Sequence, residues 1–503
     1  MESEHERLTS SVSEQHGNMA ASDTNYPTFS HECDDNALTK KKRKCWSLPK
    51  RYIVALLAFL GFANIYSMRV NLSVAIVSMT SNKTRIYNDS LVVYPPDYPW
   101  SSELQGQVLA SFFYGYILSQ LPGGFLANRF GGKYFFGGGI FLTAILTLLT
   151  PLFTTWSVFL LIGARVFEGL FEGVTYPSIH AIWAKWAPPQ EKTKLATFAF
   201  AGSYFGTVIS LPLSGALADS QSGWQAIFYV LGSLAVVWFL VWMVMVTESP
   251  AMHPAISNSE LELIQQSIGY TDEQTKRVHP PWLSMLASGP VWAITAAHFA
   301  ENWGFYTWLT GLPTFMEHIL HVTLIQGGFF SALPYLVMCI IVLSGGILAD
   351  MLRAKFSVPT GVVRKVFTCG AFAIQAIFMV AAGYVMTKAA AISCLTIAVG
   401  IGGFAWSGFS VNHLDIAPQF ASILMGLSNT FATLPGIVSP AFTGAVVTSQ
   451  DDAGQWQIIF YVAAGIYVMG AVVYGIFASG DRQKWAEVPL GYQPYLEDPE
   501  KDH

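Results

Sequence analysis

Apolar runs of about twenty residues recur along this chain from residue 51 to residue 479, each long enough for a helix to cross a ~30 Å hydrocarbon core. No other feature constrains the fold as strongly. Inside lipid every backbone N–H and C=O must be satisfied within its own segment, so such runs are helices. Twelve are found, near 51–79, 104–127, 134–154, 157–183, 194–218, 225–247, 288–317, 326–349, 362–386, 390–411, 417–447 and 456–479. The residues are 52% hydrophobic and only 12% charged, which excludes a soluble domain of ordinary make-up. The expected fold is an all-α membrane protein with twelve transmembrane helices in two pseudo-symmetric six-helix bundles. The expected parts are a tail over 1–50, one bundle over 51–247, a joining loop over 248–287, a second bundle over 288–479 and a tail over 480–503.

The charges are distributed unevenly. With the amino terminus placed inside, all but five of the 27 Lys and Arg residues fall in cytoplasmic segments. The five are Lys83, Arg85 and Lys388 in outer loops, and Arg69 and Arg165 within spans. This bias predicts that both termini are cytoplasmic. The polar first 45 residues end in Lys40-Lys-Lys-Arg-Lys44 and carry no apolar core of a cleavable signal. The first span then serves as the insertion signal. Asn82-Lys-Thr and Asn88-Asp-Ser match the N-glycosylation pattern in the first outer loop, Asn88 standing farther from the membrane. The five cysteines show no metal-ligand spacing, so neither a zinc site nor a disulfide framework is expected.

The fourth span is the exception to the apolar rule. It contains Arg165-Val-Phe-Glu168-Gly-Leu-Phe-Glu172-Gly-Val-Thr-Tyr-Pro-Ser-Ile-His180. On one continuous helix Arg165 and Glu172 share a face, with Glu168 between them. A charge at the bilayer centre costs about 2.5–3.5 kcal/mol, so the cluster must face protein or water. One reading is an ion pair that locks the helix into its bundle. The other starts from arithmetic: two carboxylates and one arginine leave an acid over, suited to exchange a proton near neutral pH. Arg69 in the first span has no acidic neighbour on its own helix. It either snorkels to the interface or binds something.

The two halves repeat each other. Gly123-Gly124-Phe-Leu-Ala-Asn128-Arg129-Phe-Gly131 matches Gly345-Gly346-Ile-Leu-Ala-Asp350-Met-Leu-Arg353, and Trp224-Gln-Ala-Ile-Phe-Tyr matches Trp456-Gln-Ile-Ile-Phe-Tyr. Parallel repeats of six spans are the pattern of a two-bundle transporter. The eleventh span, with Asn429, Pro435, Gly436 and Pro440, is polar and breakable, which is tolerated where a cavity satisfies the backbone.

The Gly-rich loops at 123–133 and 345–355 resemble the signature loops of the major facilitator superfamily. The chain further resembles its anion:cation symporter branch, which holds sialin, the vesicular glutamate transporters and the type I sodium–phosphate cotransporters. The most specific matches are Arg69-Val-Asn-Leu-Ser-Val-Ala, Ser111-Phe-Phe-Tyr-Gly-Tyr, Gln120-Leu-Pro-Gly-Gly, Glu172-Gly-Val-Thr-Tyr-Pro, Trp186-Ala-Pro-Pro and Asn412-His-Leu-Asp-Ile-Ala-Pro. Glu248-Ser-Pro-Ala-Met-His-Pro and Ala421-Ser-Ile-Leu-Met-Gly look like the vesicular glutamate transporters. Leu109, Glu168 and Glu301 stand where those carry histidine, glutamine and arginine. Leu109 and the Glu168/Glu172 pair resemble sialin, and Glu301 departs from both.

The resemblance implies a secondary transporter, not an enzyme, working without a cofactor. It would move sialic acid, glucuronic acid or acidic amino acids with a proton across a lysosomal or vesicular membrane. The alternatives are a glutamate or phosphate transporter driven by sodium or potential, also at the plasma membrane, and a sensor or anion channel. Arg69 would hold the substrate carboxylate among Tyr66, Tyr114, Asn302, Tyr306 and Asn429. Glu168, Glu172, Arg165 and His180 would handle the proton. Gly124, Arg129, Gly131, Asp350 and Arg353 would form the gating loops. The expected partners are the anion, the proton and the lipid, with no nucleic acid, and the expected unit is a monomer.

Overall fold

A computed structural model describes residues 31–32, 44–45, 48–80, 83–87, 90–218, 220–268, 279–320, 324–385, 387–449 and 452–487. The chain divides into two units, Met1–Pro49 and Lys50–His503. In the first, the described backbone is a short ladder pairing His31–Glu32 with Lys44–Cys45. Both acceptor asparagines, Asn82 and Asn88, lie outside the described residues.

The second unit is helical: α1 Lys50–Thr80, α2 Ser102–Phe130, α3 Gly132–Trp156, α4 Val158–Gly173, α5 Thr175–Trp186, α6 Lys192–Ala218 and α7 Gln225–Met245. Then follow α8 Asn258–Ile268, α9 Trp282–Leu286, α10 Gly289–His318, α11 Leu324–Ala354, α12 Thr360–Ala382, α13 Lys388–Gly400, α14 Gly402–Ala405, α15 Val411–Ile416, α16 Ala421–Val446 and α17 Ala453–Phe477. Nine helical stretches among the described residues are long and apolar enough to cross a bilayer. Between α1 and α2, Lys83–Tyr87 pairs antiparallel with Ser90–Tyr94, a hairpin the hydropathy pattern does not reveal.

The packing follows the internal repeat. In the first half α1 lies on α6 and α7, α2 on α4, and α3 on α4 and α7. In the second half α10 lies on α16 and α17, α11 on α13, and α12 on α13 and α17. Each pairing in one bundle has its counterpart in the other. The bundles meet through α2 against α16 and α6 against α11, again a symmetric pair. Trp224 and Trp456, from the repeated motif, are both buried where α7 and α17 begin.

Two expected single helices are broken. The fourth span stops at Gly173 and restarts at Thr175. Pro177 has no N–H for the Gly173 carbonyl four residues earlier, so the ladder cannot pass. The Thr175 hydroxyl donates to the Glu172 carbonyl at 2.6 Å. The tenth span runs through α13 and α14 into a π-helical turn at Trp406–Ser410 and then α15. Such turns free carbonyls and collect at functional sites.

Candidate functional site

A central cavity between the bundles is lined by Tyr66, Tyr116, Tyr176 and Tyr204 from one half. The other half supplies His298, Glu301, Asn302, Phe305, Tyr306, Trp406 and Asn429. Close helix crossings bring the charged residues to its edge. A Cβ on Gly115 of α2 or Gly169 of α4 would collide with the other helix's backbone. Only glycine at both places lets α4 carry its acids against α2.

Two ion pairs stand side by side there. Arg69 Nε donates to Glu172 Oε1 at 2.7 Å, and Arg69 Nη2 donates to the same oxygen. Arg165 Nη1 donates to Glu168 Oε2 at 2.5 Å, and Thr147 Oγ1 donates to Glu168 Oε1 at 3.3 Å. The Arg69 guanidinium carbon lies 4.5, 4.9 and 4.7 Å from the ring centres of Tyr66, Phe112 and Tyr116. Arg165 sits 5.2 Å from the centre of the Phe112 ring, so both cations lie against one phenyl ring. Such stacking stabilises a desolvated guanidinium by about 2 kcal/mol or more. Glu172 Oε2 finds no protein partner.

This geometry corrects one expectation and decides between two readings of Arg69. No acid is left over in α4, because Arg69, 103 residues earlier in the chain, takes Glu172. Arg69 does not snorkel, since its side chain is 10% exposed and held by a buried carboxylate. Tyr114 is also corrected. It is 53% exposed on the outer side of α2. Two residues on, a rotation of about 200°, Tyr116 turns inward to stack on Arg69.

Tyr66, Asn302, Tyr306 and Asn429 do line the cavity. Asn429 Nδ2 reaches across the bundles to donate to the Tyr116 hydroxyl at 3.2 Å and to Gln120 Oε1 at 2.9 Å. Asn302 Nδ2 donates to the Ala432 carbonyl at 2.8 Å, and Tyr306 packs edge-on to Phe113. Tyr176 shares hydroxyl contacts with Tyr66 at 3.3 Å and Ser203 at 3.0 Å. Tyr116, Tyr176, Tyr204 and Trp406 are absent from the sequence-based set. The spacing of Tyr116 and Gln120, one helical turn apart in an apolar run, was the available signal for the first.

His180 is not brought to the acids. Its Nδ1 lies 3.0 Å from the Tyr176 carbonyl oxygen and its Nε2 3.1 Å from that of Ser410, in the other bundle. It belongs with a closed seam on the face where α1 begins. There Arg364 Nε donates to Asp415 Oδ2 at 2.7 Å, Lys192 Nζ approaches Asp415 Oδ1 at 2.6 Å, and Arg364 Nη2 donates to Thr193 Oγ1 at 3.1 Å. His413 Nε2 lies 2.9 Å from Ser428 Oγ.

The repeated loops close the same seam. Asp350 Oδ2 accepts from the Lys194 backbone N–H at 2.6 Å, Arg353 Nη1 donates to the Pro189 carbonyl at 3.0 Å, and Asn128 Nδ2 donates to the Gln419 carbonyl. Gly124 and Gly346 are places where a Cβ would strike Ser422 and Thr197 of the opposite bundle. Gly131 has φ +105°, and the Glu248 carboxylate accepts from the N–H groups of Gly132 and Lys133. Arg129 is exposed beside Phe130.

Two facing helical bundles, a cavity between them and charges paired at its edge are the arrangement of a two-bundle membrane transporter. The chain belongs to the Major Facilitator Superfamily, which it matches over residues 53–440. It is 44% identical to vesicular glutamate transporter 1 of Xenopus laevis over 449 residues, 88% of this chain and 77% of that one. It is equally 44% identical to sialin of Homo sapiens over 452 residues, 87% of this chain and 90% of that one. Among solved structures it shares the fold of the proton:xylose symporter XylE, with a TM-score of 0.67 at 16% identity over 87% of this chain and 98% of that one. The fucose:proton symporter FucP of E. coli aligns with a TM-score of 0.59 at 14% identity, over 84% of this chain and 99% of that one. The chain is thus a multi-pass membrane transporter of small molecules.

Proposed function

We propose that the protein is a proton-coupled symporter of small organic anions in a lysosomal or vesicular membrane, with both termini cytoplasmic. The observation that carries this reading is the Arg69–Glu172 pair at the edge of the cavity. A carboxylate substrate and Glu172 compete for one guanidinium, whose planar fork suits either. A proton arriving on Glu172 releases Arg69, and the substrate carboxylate takes the vacated place. When substrate and proton leave on the other side, the pair re-forms. The second pair, Arg165–Glu168, holds the neighbouring charge neutral and fixes α4 while this exchange happens. Rocking of the bundles then exposes the cavity to one side and the other.

The likeness to sialin and to the vesicular glutamate transporters supports sialic acid, glucuronic acid or acidic amino acids as substrates. Leu109 and the Glu168/Glu172 pair favour proton coupling in the sialin manner, and Leu109 and Glu301 count against potential-driven glutamate uptake. The test is uptake into proteoliposomes over a panel of these anions, with and without an imposed proton gradient and with and without sodium. Gradient-dependent, sodium-independent accumulation of an organic anion supports the proposal. Accumulation that follows sodium or membrane potential alone overturns it.

A further inference from the structure

One carboxylate in the cavity finds no cation. Glu301 of α10 is 2% exposed, lines the cavity, forms no ion pair among the described residues, and its Oε2 has no hydrogen-bond partner. Its seat is built. A Cβ at Gly402 would strike both Glu301 and the Gln375 amide, so glycine lets the carboxylate lie against Gln375. Gln375 Nε2 is in turn anchored by donating to the Tyr467 hydroxyl at 3.2 Å. The Arg69 guanidinium is bonded to Glu172 and does not serve Glu301.

A desolvated carboxylate needs a positive or strongly donating partner. The rest of the wall shows what kind. Tyr66, Tyr176, Tyr204, Phe305, Tyr306 and Trp406 line the same cavity. Aromatic walls with one bare carboxylate are the pairing that recognises an organic ammonium, through ring faces on its C–H and N–H surface and one charge contact. A proton on Glu301 would neutralise the acid without using the ring faces of Tyr204, Phe305 and Trp406, which line the same cavity.

We propose that Glu301 is the ammonium-recognising residue of the substrate site, so that the cavity selects small carboxylates carrying a protonated amine over those without one. The inference rests on the anion reading for the carboxylate end, at Arg69, and is independent of it for the amine end.

The experiment uses the purified full chain in lipid nanodiscs and reads ligand affinity from competition and thermal-shift titrations. The probes are aspartate against malate, glutamate against 2-hydroxyglutarate, and phenethylamine as an amine with no carboxylate. The amino acids should bind about tenfold or more tighter than their hydroxy counterparts, a gap of about 1.4 kcal/mol. Phenethylamine should bind as well. Glu301→Gln should erase the amino-acid preference and phenethylamine binding together, and Glu301→Asp should weaken both. Equal binding of amino and hydroxy acids by the wild type overturns the inference, as does a preference that survives Glu301→Gln. If the glutamine variant does not fold, an unchanged preference in Glu301→Asp overturns it. Glu301-dependent binding of phenethylamine without binding of any acid supports this inference and refutes the anion reading. Binding of none of the five probes overturns both.

Discussion

The molecule buries two ionic clusters, and they are built to different standards. At the closed seam, Asp415 has Arg364 on one oxygen and Lys192 on the other, and Arg364 spreads its remaining donors over Ser407 and Thr193. At the cavity, among the described residues, Glu172 uses one oxygen for Arg69 and leaves Oε2 without a partner, Arg165 Nε is likewise unused, and Glu301 has no cation. A satisfied buried cluster is a fastener, since opening it exposes charges that nothing else neutralises. A buried polar atom without a partner calls for an explanation in terms of exchange or ligand. The seam cluster ties α6 of one bundle to α12 and α15 of the other, so rocking of the bundles would have to break its Lys192 and Thr193 contacts. The two ion pairs at the cavity edge, Arg69–Glu172 and Arg165–Glu168, lie wholly within one bundle and can change partners without such motion.

The sharpest way to break the contrast is Asp415→Asn. It leaves Arg364 and Lys192 buried around a neutral amide and should cost about 3–5 kcal/mol. The expected readout is a large fall in thermal midpoint and in yield, whatever the substrate; a stable Asp415→Asn protein would remove the distinction. Arg69→Lys acts on the other cluster. Lysine keeps the charge but loses the fork and the three-ring stack, so uptake should fall about 10- to 100-fold, in line with one or two lost charge-assisted hydrogen bonds. Expression should stay near normal, and near-normal uptake would leave Arg69 only a structural partner of Glu172.

A smaller effect is expected at Gly124→Ala. Its added Cβ meets the Ser422 backbone of the opposite bundle, which should weaken seam closure by about 1–3 kcal/mol. Cysteine labelling from the face where α1 begins should increase, with little change in the midpoint. The smallest effect concerns Glu191, which bonds Arg51 at 2.8 Å and the Tyr52 hydroxyl at 2.8 Å outside the spans. Desolvation pushes this carboxyl up, but the hydrogen bond and charge of Arg51, with the Tyr52 hydroxyl and Lys194, together outweigh it and hold it below the ordinary glutamate range. Its contribution is therefore complete at neutral pH and is lost as pH falls through the depressed folded value. Glu191→Gln should change stability by less than about 1 kcal/mol, given its partial exposure. The difference from wild type should vanish in strong acid.

The fold was legible because lipid allows few answers. Apolar length, the short-loop charge bias and the repeated Gly-Gly and Trp-Gln motifs each report a constraint that acts locally. The breaks at Gly173 and at Trp406–Ser410 were less visible. Pro177 could have located the first; nothing in the residues around Trp406 marks a π turn. The site was legible by residue type and not by partner. Spacing along one helix puts Arg165, Glu168 and Glu172 on one face, but it cannot show that Arg165 takes Glu168 while Glu172 turns to α1. Tyr114 was drawn in with its motif, although a step of two residues on a helix reverses the face. Glu301 was visible as a charge out of pattern, and its lack of a cation became visible only in three dimensions.

The central claim is that Glu172 and the substrate carboxylate alternate on Arg69 under control of a proton. Its most direct measurement compares pH-driven accumulation with substrate counterflow in proteoliposomes containing Glu172→Gln, at matched protein abundance. Glutamine imitates the protonated acid and leaves Arg69 free, so counterflow should persist while acceleration by an acidic compartment is lost. Glu168→Gln, which unpairs Arg165 instead, should lower protein yield. Full pH-driven accumulation by Glu172→Gln would contradict the account.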